Sequence, residues 1–172
     1  IKGIKTRKKL YKFLSLLLKI NRMIQKQQLI ILNDQSNNTD KPKIYAVTHV
    51  GRYDIEMAIE GVKESAFFLM GDPGSVYKSF DGVLLKANGT IFFDTDHKND
   101  RNICKENCIK VLENGGNILM FPEGAWNITE NEIVMQLYDG AVEMAIKTGT
   151  DIVPIAIEKK KKKYCMNIGE NI

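Results

Sequence analysis

Apolar and polar positions along this chain change their period once, near residue 43. Between residues 4 and 32, apolar side chains return at intervals of three and four: Leu10, Tyr11, Phe13, Leu14, Leu17, Leu18, Ile20, Met23 and Ile24. Lysines are interleaved with them, and the spacing predicts an amphipathic helix. Residues 33–43 (NDQSNNTDKPK) are polar, include a proline and read as a linker. Beyond them, short apolar runs alternate with helical patterns. Segments 44–48, 66–70, 90–94, 117–121, 152–157 and 164–168 predict strands. Segments 55–62, 76–87, 102–113 and 134–147 predict helices, the third ended by Gly115-Gly116. Such alternation specifies an α/β fold: a single domain with a largely parallel central sheet flanked by helices, preceded by an N-terminal basic amphipathic helix. The expected division is a docking segment at 1–32, a linker at 33–43 and a body at 44–172. In open parallel sheets ligands bind beyond the carboxyl ends of the strands, and His49, Asp94 and Glu123 stand at the ends of three of them.

Charge sharpens this division. The 172 residues carry a net charge of +4, but residues 1–32 hold nine Lys or Arg and no acid. The remaining chain has 16 bases against 21 acids. A basic arm on an acidic body suits an anionic surface, and a uniformly cationic polar face fits an interfacial helix on phospholipid. A helix packed on the domain's own core is the plainer reading of the same pattern. A zinc framework and any reader motif are missing from the arm, so nucleic acid is not expected as a partner. No apolar run approaches the ~20 residues of a membrane span. The chain does not open on Met and stops soon after its last strand pattern, so further chain on either side, an upstream span included, stays open. Cys104 and Cys108 lie one helical turn apart without a second Cys/His pair, which predicts reduced thiols and no metal site.

The chemistry concentrates in Thr48-His49-Val50-Gly51-Arg52-Tyr53-Asp54. A strand end holds His49 rigidly, and Asp54, one turn into the next helix, can fold back on the imidazole. A carboxylate on one ring nitrogen fixes the tautomer and raises the basicity of the other. No Ser or Cys follows as a nucleophile, so the pair would activate a hydroxyl supplied by a substrate. Backbone N–H groups near Gly51 are candidate donors to an oxyanion. The run Phe121-Pro122-Glu123-Gly124 ends another strand: Pro122 stops pairing, Gly124 permits positive φ, and Glu123 points from a stiff turn.

His49-x4-Asp54, Gly89-Thr90-Ile91-Phe92-Phe93-Asp94, Phe121-Pro122-Glu123-Gly124 and Ile152-Val153-Pro154-Ile155 follow one another in that order. Together they resemble the four sequence blocks of the glycerolipid acyltransferases, specifically the 1-acylglycerol-3-phosphate O-acyltransferase (lysophosphatidate acyltransferase) family. The resemblance covers roughly residues 44–158. It implies an acyltransferase catalytic domain that moves a fatty acyl group from an acyl thioester, acyl-CoA or acyl-acyl carrier protein, to a lysolipid hydroxyl at an anionic membrane surface. It further implies a peripheral position on the cytoplasmic face, a role in phospholipid biosynthesis, and no cofactor. His49 would be the general base, Asp54 its orienting partner, and Glu123 a contact to the acceptor's hydroxyls, with Phe121, Pro122 and Gly124 around it.

The departures from the family pattern are specific. Thr48 and Gly51 stand where the first block usually has Asn and Ser. Thr95 stands where the second block has Arg, and Ala125-Trp126-Asn127 where the third often continues Thr-Arg-Ser. Those arginines would grip the acceptor phosphate, and a guanidinium fork is not casually replaced. Either Arg52, Lys98 or Arg101 does so from shifted positions, or the acceptor is a non-phosphate lipid or glycoconjugate. A non-catalytic lipid- or acyl-carrier-binding module and a thioester hydrolase are the other readings. Trp126 fits a channel wall or plain packing, and the run of lysines at 159–163 fits a solvated turn or a contact to donor phosphates.

Overall fold

The computed structural model describes residues 3–37, 39–71, 83, 86–87, 89–129 and 132–172. Its elements in chain order are α1 (Ile4–Ile24), β1 (Gln28–Asp34), β2 (Lys43–Val47), α2 (Asp54–Val62), β3 (Ala66–Met70) and β4 (Thr90–Phe92). They continue with α3 (Lys98–Glu113), β5 (Asn117–Met120), α4 (Gly140–Thr148), β6 (Asp151–Lys160) and β7 (Lys163–Ile168). One seven-stranded sheet has the order β1-β7-β6-β2-β5-β3-β4. Every pairing is parallel except the β6–β7 hairpin, so β1 and β7 run against the other five.

The central strands are apolar at consecutive positions because both sheet faces are covered. On β2, Tyr45 and Val47 pack with Leu119, Phe68 and Ile155 under α1 and α2. Ile44 turns the other way, with Ile118 of β5, toward Cys108, Leu112 and Met144 of the α3–α4 layer. Period-two alternation thus feeds two cores from one strand. The α/β, largely parallel fold expected from the sequence is the one observed.

The N-terminal segment differs from its expected form. Helix α1 stops at Ile24; Lys26 turns the chain at φ 56°, and residues 28–34 pair parallel with β7. The run Gln28-Leu29-Ile30-Ile31 follows a two-residue period on a sheet edge, which overrides a helical continuation to residue 32. Nor is α1 a detached arm: Tyr11, Leu14 and Leu18 are buried in the α2-side core. Tyr11 Oη donates to Ile59 O at 2.8 Å, and Arg22 forms a fork on Glu60 at 2.7 and 2.9 Å. The helix expected at 134–147 begins only at Gly140, because Met135 and Tyr138 donate their N–H groups to Glu123 and Pro122. The helix expected at 76–87 falls largely outside the described residues. Among the described residues, no helix is long and apolar enough to cross a membrane.

Candidate active site

Beyond Val47 the chain crosses the carboxyl edge of the sheet. Thr48 N–H donates to Ile155 O at 3.0 Å, and its Oγ1 accepts from Ile157 N–H at 2.8 Å. Thr48 therefore prolongs the β2–β6 ladder by one residue and fixes the point at which His49 leaves it. Asp54 opens α2 and is fully buried. Its Oδ2 accepts from His49 Nδ1 at 2.8 Å, from Val50 N–H at 2.8 Å and from Gly51 N–H at 2.9 Å. The loop closes around one carboxylate oxygen, and Gly51, at φ 151°, supplies a backbone conformation that other residues rarely adopt. With Nδ1 donating to the carboxylate, Nε2 is the ring nitrogen left to take a proton. Asp54 Oδ1 is buried without a partner among the described residues, so Oδ2 carries the whole hydrogen-bonding load.

These contacts revise one expectation. The N–H groups of Val50 and Gly51 are spent on Asp54, so they are not aimed at an oxyanion.

Glu123 is also revised. It is buried, its Oε1 accepts from His49 N–H at 2.7 Å, and its Oε2 accepts from Met135 N–H at 2.9 Å. Both oxygens hold backbone, so the carboxylate clamps the His49 turn to the 133–138 loop instead of facing an acceptor. Gly124 is needed twice over: its φ is 70°, and a Cβ there would lie 2.7 Å from Tyr138 Cε2. Asn127 N–H donates to His49 O at 2.7 Å, completing a frame around the histidine backbone.

His49 is partly exposed and lines a cavity of about 1180 Å³. Its ring stacks on Phe121 at 4.2 Å between centroids, and the Trp126 ring meets it edge-on at 6.1 Å. Leu69, Met70, Met120 and Met144 give the cavity an apolar wall. Of the residues proposed from the sequence, Arg52, Arg101, Phe121, Pro122 and Gly124 line it with His49; Lys98, the first residue of α3, does not. Arg101 Nη1 donates to Thr95 O. Lys105, one turn further along α3, was not foreseen; it lines the same cavity, paired with Glu143 at 2.6 Å. Its four-residue spacing from Arg101 was the signal available. Trp126 lies in the cavity wall, not in the core.

Asp94 lies two residues beyond β4, is exposed, and accepts from His97 Nδ1 at 2.7 Å. It does not line the cavity; its neighbours Phe93 and Thr95 do. The N–H of Asp96 and the His97 ring hold the Asp94 carboxyl below its ordinary pKa, and Asp94 raises that of His97. Cys104 and Cys108 are free thiols, and no group of three or more His, Cys, Asp or Glu among the described residues could hold a metal ion.

Residues 22–158 match the family model described as Acyltransferase. Over 89 residues the chain is 30% identical to a 1-acyl-sn-glycerol-3-phosphate acyltransferase of Borreliella burgdorferi. That match covers 52% of this chain and spans 35% of the relative's length. In fold, the chain is similar to the crystal structure of a 1-acyl-sn-glycerophosphate (LPA) acyltransferase, PlsC, from Thermotoga maritima. The TM-score is 0.75 at 19% identity, covering 98% of this chain and 70% of that one.

Proposed function

The chain belongs to the acyltransferase family, and from that premise we propose that it moves a fatty acyl group from an acyl thioester to a hydroxyl of a lysophospholipid such as 1-acylglycerol-3-phosphate. The donor is acyl-CoA or acyl-acyl carrier protein, and the reaction is a step of phospholipid biosynthesis. The observation that carries this reading is the His49–Asp54 pair, 2.8 Å apart, on the wall of a cavity that joins an apolar side to Arg52, Arg101 and Lys105.

A thioester is reactive enough that no covalent enzyme intermediate is needed; deprotonating the acceptor suffices. His49 Nε2 takes the proton as the acceptor oxygen bonds to the thioester carbonyl carbon. Buried Asp54 holds the resulting imidazolium in place. As the tetrahedral intermediate collapses, the carbon–sulfur bond breaks and the imidazolium returns its proton to the leaving thiolate. The products are an ester and a free thiol. Arg52 and Arg101 supply the positive charge that an acceptor phosphate needs, in place of the arginines missing at Thr95 and in the 125–127 segment.

His49→Ala should reduce acyl transfer by about 10²–10⁴-fold, the usual share of a general base, with an unchanged circular dichroism spectrum. Unchanged transfer by that folded variant would rule out the mechanism. The same proposal puts the protein on the cytoplasmic face of a membrane as a peripheral enzyme. It is supported by the outer face of α1, where Phe13, Leu16, Ile20, Met23 and Ile24 are exposed beside Lys9 and Lys12.

A further inference from the structure

A second cavity, of about 240 Å³, opens against the catalytic loop where the β6–β7 hairpin passes the end of α1. Lys159, Lys161 and Lys162 line it, with Tyr53 and Gln27. The lysine run at 159–163 divides by contact. Lys160 is neutralised by Glu158 at 2.8 Å, whereas the three cavity lysines have no carboxylate within ion-pair distance among the described residues. Lys162 Nζ donates to Gln25 O at 3.3 Å, which ties the hairpin tip to α1. Lys159 reaches back over the Tyr164 ring, 5.8 Å from its centroid. A Cβ built on Gly51 would lie 3.6 Å from Lys159 Nζ, so that ammonium stands beside a residue two positions along the chain from His49.

Gln27 supplies an independent observation. It is more than nine-tenths buried, lines this cavity, and its Oε1 is enclosed without a hydrogen-bond partner. A buried amide oxygen left unpaired is costly, and a bound donor would relieve it. The cavity therefore offers three cations and, beside them, an amide whose enclosed oxygen a turn of the Gln27 side chain would present to a hydroxyl or N–H. A solvated lysine turn would present neither the enclosed amide nor the contact with the catalytic loop.

We infer that this cavity binds a phosphate ester that carries a hydroxyl or amide N–H close to its phosphate, and that this group is the phosphopantetheine arm of the acyl donor. Phosphopantetheine has that chemistry: a phosphate for the lysines and, a few bonds away, a hydroxyl and amide groups for Gln27. The larger cavity already holds Arg52 and Arg101 for the acceptor, so a second cationic site on the other flank of residues 49–54 suits the other substrate. The assignment of the arm to the donor rests on the acyl-transfer reading; the phosphate site itself does not.

Coenzyme A is the probe, titrated calorimetrically into the full chain at two salt concentrations. Lys159→Gln/Lys162→Gln should weaken its binding about tenfold, the loss of roughly one charge-assisted hydrogen bond, and flatten the salt dependence. Gln27→Leu should weaken it severalfold. Pantetheine, without the phosphate, should bind wild type and the double variant alike. Glycerol 3-phosphate should lose less than twofold in the double variant; a larger loss there than for coenzyme A would overturn the assignment to the donor. Absent coenzyme A binding, or an affinity unchanged by the lysine substitutions in a variant of wild-type melting temperature, would overturn the site. If acyl transfer persists while the lysines prove irrelevant, only this site fails. If coenzyme A binds through the lysines and no acyl transfer occurs, only the acyl-transfer reading fails.

Discussion

At the scale of single residues, Glu123 distinguishes two roles that a carboxylate at a strand end can take. A residue that touches the acceptor should govern how tightly the acceptor binds. A residue that holds the backbone of the base should govern how well the base is aimed. With Oε1 on His49 N–H and Oε2 on Met135 N–H, Glu123 belongs to the second kind. Glu123→Gln retains shape but replaces one of these charged acceptors with an NH₂ group facing an N–H donor. We expect kcat to fall by one to two orders of magnitude with little change in acceptor KM, and stability to drop by about 1–3 kcal/mol. A raised KM at constant kcat would instead mean contact with the acceptor. The His49–Asp54 pair was legible in the sequence because the partners stand only five positions apart and one turn brings them together. The partners of Glu123 were not, since Met135 lies in a loop that sequence periodicity assigned to a helix. The same holds for Gly51: its φ explains the glycine, but only the folded loop shows its N–H committed to Asp54.

At the scale of elements, α1 shows what an amphipathic pattern can and cannot report. Its apolar positions fall on two faces. Tyr11, Leu14 and Leu18 are buried against α2 and the sheet, whereas Phe13, Leu16 and Ile20 face outward. Sequence spacing reveals that a helix has apolar residues but not which of its faces another element will cover, so core packing and surface docking stayed open until α2 was in place. Leu18, with 1% of its surface exposed, tests the packed face. Leu18→Ala should cost about 2–5 kcal/mol by denaturant unfolding, as for a leucine in any closed core. A detached arm would lose nothing measurable. β1 was missed for a related reason: on a sheet edge its side chains are half covered or exposed, leaving little contrast between its faces. The central strands read correctly because burial on both faces leaves consecutive apolar residues that a polar loop or a surface helix could not tolerate.

At the scale of the whole molecule, part of the exposed apolar surface lies at the catalytic edge of the sheet. Met23 and Ile24 end α1 beside Gln25, which the β6–β7 hairpin grips next to the catalytic loop. Across the large cavity, Trp126, Ile128, Ile133 and Leu137 stand out from the segment that Glu123 and Asn127 tether to His49. Apolar side chains in such number, with lysines beside those of α1, suit insertion below the headgroups of an anionic bilayer. Removing residues 1–32 would not test this, because it deletes β1 and the buried face of α1 as well. Phe13→Gln/Ile20→Gln changes only side chains that already face outward. The variant should retain the wild-type unfolding midpoint and lose most of its sedimentation with vesicles containing phosphatidylglycerol. Acyl transfer to a soluble short-chain acceptor should persist, since neither residue lines the cavity of His49. Undiminished sedimentation with the double variant would mean that α1 serves the core alone, leaving the 126–137 segment as the surface to substitute next.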